Sequence, residues 1–305
     1  MLAAAGADTF RAYEDAATAI GRLDASAQLA EPGLRELLVL RCVATGTGES
    51  HRGMIALAVA GREGGGLPDD KATFASALRA GAARARGGAL PTVASLHDLL
   101  QLTPTAPPAQ SIDDLLRDAH ERTPPVLKAA LAARALLAHA GSGADAVNPR
   151  DASSDDWYLA ALAATLVLCV GGATTDAWLT LPRALGTSGD RSLRELFTVF
   201  AREARSAERG LVTARDLADA DEHRIRETLG RAAYSALDML ALLREQIVVS
   251  IPQASRALSL SVPTASAAIA RLVELGIARE VTGKARSRAF AYERLAEALG
   301  PSVTG

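Results

Sequence analysis

Residues 250 to 294, SIPQASRALSLSVPTASAAIARLVELGIAREVTGKARSRAFAYER, constrain the fold of this chain more than any other stretch. Ser250 is a good N-cap for a short helix, Ile251 to Leu258. A turn, SLS, follows. Pro263 then opens a second helix, VPTASAAIARLVEL, where its missing N–H costs nothing. In that helix Ala265, Ile269, Leu272 and Leu275 are spaced for one buried stripe. Gly276 stops it where a left-handed residue is needed. Two short strands, IAREV and AFAYE, flank the basic loop TGKARSR. Helix, turn, second helix and β-hairpin make a winged helix-turn-helix, a module that usually lays its second helix in a DNA major groove.

The rest of the chain reads as helical. Hydrophobic residues make up 49% but aromatics only 4%, so the core must be built from Ala, Leu and Val. Ala and Leu are strong helix formers. The expected fold is mainly α: a helical body followed by the winged module with its short β-hairpin. An amphipathic helix over residues 9 to 29 is broken by Glu31-Pro32. LRELLVLRCVA, His51 to Ala60 and KATFASALRAGAARAR follow, the last capped by Asp69 or Asp70. Pro91 opens TVASLHDLLQ, and Ser111 with Asp114 makes a capping box for IDDLLRDAHE. Pro124-Pro125 open VLKAALAARALLAHA. A buried helix starts at Asp155, and a further helical stretch surrounds Trp178. LRELFTVFAREARSAERG is helical, and a long helix is expected from about Asp219 to Val249. The domain division is 1–90, an N-terminal helical region; 91–245, a helical core; and 246–305, the winged module.

The most apolar run, Trp157 to Val170, is too short to span a bilayer and reads as a central buried helix. The N-terminus lacks a basic leader pattern. A soluble cytoplasmic protein with no membrane partner is therefore expected. Cys42 and Cys169 lie in apolar helical runs and read as buried free thiols. No Cys/His spacing suggests a metal. His97 lies among leucines on one helix, while His120 and His223 sit beside acids on polar faces. His51 near Glu49 lacks a visible third ligand. With a net charge of −2 the chain is no polycation, so any nucleic-acid contact must be a local patch.

The order of phrases resembles the Fic (Fido) family, in particular its long members with a C-terminal winged helix. The likeness is clearest in TASAAIARLVELGIAREVTGKARSRAFAY; AIGRLD, ALRAGAARARGGALPTVASLHDLL and PTAPPAQSIDDLL with TPPVLKAALAARALLA also resemble that family. Active relatives transfer AMP from ATP to protein hydroxyls, using HPFxxGNGR: a His as base, an acid that holds metal, and a glycine-rich anion nest. This chain has HAGSGADAVNPRDA there. His139 is the weak catalytic candidate that the resemblance supplies; Asp145, Asn148 and Arg150 have the right chemistry at the wrong spacing. The resemblance therefore implies a degenerate catalytic motif. Thr45 and Glu49, in TGTGES, match the family's self-inhibitory TxxxE pattern; the plainer reading is a capped helix end and turn.

The expected function is a DNA-binding, regulator-like protein on a catalytically inactive Fic-like body, without cofactor. Residues 250 to 305 carry seven cations and four acids, three of the cations in the hairpin loop. Double-stranded DNA is the expected partner, with Thr264 and Ser266 near bases or phosphates, Arg271 on the flanking backbone, and Lys284, Arg286 and Arg288 on phosphates. A homodimer is the simplest way for one winged helix to gain affinity. The alternatives are a divergent adenylyltransferase using ATP with Mg, and an interaction scaffold whose winged helix meets protein rather than DNA.

Overall fold

The computed structural model describes residues 6–63, 69–88, 91–101, 114, 123–140, 154–183, 191–230, 233–283 and 288–301. In chain order the elements are α1 (Ala7–Gln28), α2 (Pro32–Thr47), α3 (His51–Glu63), α4 (Asp69–Arg86), α5 (Val93–Leu100), α6 (Pro125–Ala140), α7 (Ser154–Val170), α8 (Leu193–Leu229), α9 (Ala233–Gln246), β1 (Val248–Ser250), α10 (Ile251–Ala257), α11 (Val262–Glu274), β2 (Arg279–Glu280), β3 (Ala289–Ala291) and α12 (Glu293–Leu299). The protein is mainly helical, with one small antiparallel sheet near its C-terminus. Among the described residues no helix is long and apolar enough to cross a membrane.

The expected buried helix is α7. Every residue from Trp157 to Cys169 is buried, so it is apolar all round rather than striped. Helices α4, α5 and α6 enclose it. Pro32 begins α2 at its first turn, where a missing N–H is harmless. Thr92 caps α5: its hydroxyl accepts from Ser95 N at 3.1 Å, and Ser95 Oγ accepts from Thr92 N at 2.8 Å. The Ser111–Asp114 capping box lies outside the described residues, because Ser111 is not among them.

Helix α8, 37 residues long, is the spine. Its first part runs beside α1 in the same direction, since Tyr13 meets Phe197 edge-on and, further along, Arg22 pairs with Glu208. Inside the body, Arg41 of α2 reaches Glu203 of α8 at 3.2 Å, both almost fully buried. Removing either partner of such a pair strands a charge, at a cost of about 3–5 kcal/mol.

The structure corrects three expectations. The helices expected on either side of residues 211–218 are one helix, α8, which runs straight through Gly210. A Cβ there would lie 2.8 Å from the carbonyl oxygen of Ala298, so Gly210 lets α12 cross rather than marking a helix end. The single helix expected from about Asp219 to Val249 is broken: α8 ends at Leu229, capped by Gly230, α9 runs separately from Ala233 to Gln246, and residues 248–250 form β1. The stretch around Trp178 is not helical. Asp24 fastens it, accepting from Thr175 N at 2.6 Å and from the Trp178 indole N–H at 2.9 Å.

Candidate nucleic-acid interface

The C-terminal elements come in the order α9, β1, α10, α11, β2, β3. The sheet order is β1-β3-β2, antiparallel throughout. Val248 pairs with Ala291 and Ser250 with Ala289; Arg279 also pairs with Ala291, on the other edge of β3. Ser250 precedes α10 as expected, its N–H and hydroxyl both donating to Gln253 Oε1 at 2.9 Å. Ser261 caps α11, accepting from Thr264 N at 3.2 Å. Pro263 thus sits second in that helix rather than first, still inside the turn where no N–H is required. Gly276 has φ 67°, the left-handed stop that the sequence called for.

Helix α11 buries Ala265, Ala268, Ile269 and Leu272 against α9 and α10. Full burial of the two larger side chains contributes about 1.5–3 kcal/mol each. Its other face is open. Thr264 is exposed, Ser266 and Arg271 are half-buried, and all three share this one helix. The Thr264 hydroxyl is engaged with Ser261 Oγ at 2.7 Å. The open face also carries Val262 and Val273, 55% and 40% exposed.

The hairpin is braced at its base. Glu280 Oε1 accepts from Thr282 N at 3.0 Å, Thr282 Oγ1 at 2.6 Å and Gly283 N at 2.8 Å. The Thr282 hydroxyl, followed by its backbone, holds the carboxylate in its ionised form, so Glu280 titrates below the usual range. Thr282 Oγ1 in turn accepts from Ala289 N at 3.1 Å. Arg288 is exposed, with its guanidinium 5.8 Å from the centre of the Phe290 ring. Lys284 and Arg286 lie outside the described residues. Two other cations of the tail are already paired: Arg279 with Glu293 at 2.9 Å and Arg294 with Asp221 at 3.2 Å. Formal charge in the tail therefore overstates what is available to a ligand.

A latch that sequence spacing did not suggest ties this region to α8. Asp221, buried, accepts from the Tyr292 hydroxyl at 2.6 Å and from Arg294. Burial first, and then the hydrogen bond to Asp221, push the Tyr292 phenol well above its ordinary value. Arg244 of α9 adds pairs to Glu31 and Glu222.

The residues singled out elsewhere do not gather here. Thr45 is buried within α2, which continues through Gly46 to Thr47; its hydroxyl has no hydrogen-bond partner among the described residues. Glu49 follows Gly48, the left-handed cap with φ 74°, and sits between α2 and α3 rather than on a helix. His139 is on the last turn of α6, with its side chain outside the described residues, as are Asp145, Asn148 and Arg150. His97 Nδ1 lies 2.9 Å from the Val93 carbonyl oxygen, and exposed His223 pairs with Glu227 at 3.1 Å. Among the described residues no group of three or more His, Cys, Asp or Glu could hold a metal ion.

No family model matches this chain, and no curated protein matches it.

Proposed function

We propose that the C-terminal region is a winged helix-turn-helix that binds double-stranded DNA, carried by a catalytically inactive Fic-like helical body. The observation that carries this is the element order. A helix, a strand, two helices meeting across a capped turn, and a hairpin whose inner strand pairs with the first strand are the parts of that module. On this view α9 is its first helix, because α9 packs on the buried face of α11. The capped, exposed start of α11 supports it as the element that enters the groove. The basic hairpin loop supports contact with phosphates.

The test is duplex binding by fluorescence anisotropy at several salt concentrations. Replacing Lys284, Arg286 and Arg288 together by Ala should weaken binding to all sequences and flatten the salt slope by up to about three ions' worth. Replacing Thr264 and Ser266 should shift preference among sequences instead. Absence of binding at low salt, or a triple variant with unchanged affinity and slope, refutes the proposal.

An interaction surface for another protein is the second reading, favoured by exposed Val262 and Val273 on the open face of α11. It predicts no duplex binding. The inactive body rests on the missing GNGR nest. Neither the wild type nor Glu49→Gly should label itself or bulk protein with AMP from ATP. Robust labelling lost in His139→Ala would establish the adenylyltransferase alternative.

A further inference from the structure

A cavity of about 280 Å³ opens where the helical body meets the start of the C-terminal sheet. Three helices supply its apolar walls: Leu40 and Val43 from α2, Leu57 and Ala58 from α3, and Ala75 from α4. Its volume lies just below that of drug-sized ligand sites, which run from about 300 to 1,000 Å³, and so suits a smaller molecule.

Its far wall is Ile247, between α9 and β1. This residue has φ 61°, a left-handed backbone that a β-branched side chain adopts only under constraint. It is buried, and both of its backbone groups are used. Its N–H donates to the Leu243 carbonyl at 2.7 Å, and its carbonyl accepts from Tyr292 N at 2.8 Å. A molecule in the cavity would thus touch the one residue that sets the direction of the chain from α9 into the sheet.

The polar rim fixes the chemistry. Glu36 and Arg79 neutralise each other at 2.6 Å. Glu245 also lines the cavity, and among the described residues no cation pairs with it. Neighbouring Arg244 is engaged with Glu31 and Glu222. The cavity therefore offers an apolar interior with one uncompensated carboxylate at its edge. The geometry points to a binding site for a small apolar molecule bearing a protonated amine, its hydrocarbon part among Leu40, Leu57 and Ile247 and its ammonium on Glu245. Binding would restrain Ile247 and, through it, the junction with the sheet.

The experiment uses the full chain and 2-phenylethylammonium, with 2-phenylethanol and 3-phenylpropionate as neutral and anionic counterparts, titrated by calorimetry and by NMR. The ammonium should bind saturably, the alcohol about tenfold more weakly and the carboxylate more weakly still, as removal of a hydrogen bond to a charged group implies. Glu245→Gln, a surface change, should bring the ammonium down to the level of the alcohol. Ala58→Phe should fill the cavity and abolish binding of both, with its melting curve showing that it folds. The Tyr292 amide should exchange more slowly with ligand present. These measurements need no DNA, so their outcome is separate from that of the DNA test. Absence of ammonium binding, equal binding of the three probes, or binding that survives both substitutions overturns the proposal.

Discussion

Replacing Asp221 should loosen the C-terminal region from α8 by a calculable amount. Asp221 is 3% exposed, and the Tyr292 side chain that donates to it at 2.6 Å is fully buried. A hydrogen bond to a charged acceptor is worth about 1.5–3 kcal/mol, and its loss leaves the Tyr292 hydroxyl stranded. Arg294 is 46% exposed, so solvent limits its pair with Asp221 to about 1 kcal/mol or less. Asp221→Ala should therefore cost about 3 kcal/mol. Asp221→Asn keeps an acceptor for Tyr292 and loses the charge, and should cost about 1 kcal/mol. Tyr292→Phe should fall between them, and the double variant Asp221→Ala/Tyr292→Phe should cost less than the sum of the singles. Urea unfolding followed by circular dichroism gives these differences, and hydrogen exchange at the α12 amides places them. A loss below about 0.5 kcal/mol for Asp221→Ala, the level of an ordinary surface change, would refute the latch.

The raised Tyr292 phenol makes the same contact pH-dependent. Its contribution is fully present below the unfolded value of about 10 and is lost as pH rises towards the higher folded value. Above about pH 10 the stability of the wild type relative to Tyr292→Phe should fall by about 1.4 kcal/mol per pH unit, measured by urea melts from pH 8 to 11; a flat difference would count against it. A Cβ at Gly33 would lie 2.1 Å from the Arg244 carbonyl oxygen. Gly33→Ala must push α2 and α9 apart, and should lower the melting temperature by well over the roughly 2–4 °C that 1 kcal/mol produces in a chain of this size. Burial pushes the Cys169 thiol up to about 12, and the Cys42 thiol higher. Neither should react with a thiol reagent at pH 8 until urea exposes them; fast labelling of the native protein would contradict their burial.

What the sequence made legible was local. Ser250, Pro263 and Gly276 each act within one turn of chain, whereas the Ser261 cap of α11 emerges only from the structure. The apolar run of α7 was legible for a similar reason, since burial on every side leaves no polar stripe to interpret. Strand β1 was not legible. Val248–Ser250 becomes a strand only by pairing with β3, some forty residues later, after a left-handed Ile247 that no propensity favours. At Gly210 the crossing α12 leaves no room for a Cβ, and no local signal in the sequence announces that crossing. The Asp221–Tyr292 latch and the cavity at Ile247 join residues distant in sequence, and no spacing announces them. Of the candidate interface, the sequence supplied the residues of α11 and the hairpin. It did not supply the pairing that neutralises Arg279 and Arg294.

The length of α8 has a mechanical consequence. At 1.5 Å per residue its 37 residues make a rod of about 55 Å. Its leading part lies along α1, and its trailing part carries Glu222, which holds Arg244 of α9, and Asp221, which grips Tyr292 and Arg294 beyond it. Such a rod works as a lever: a tilt of about 5° about the Leu193 end swings the Leu229 end by about 5 Å, roughly the rise of one helical turn. A repacking against α1 too slight to disturb the core would thus be amplified at the far end into a displacement of about one helical turn.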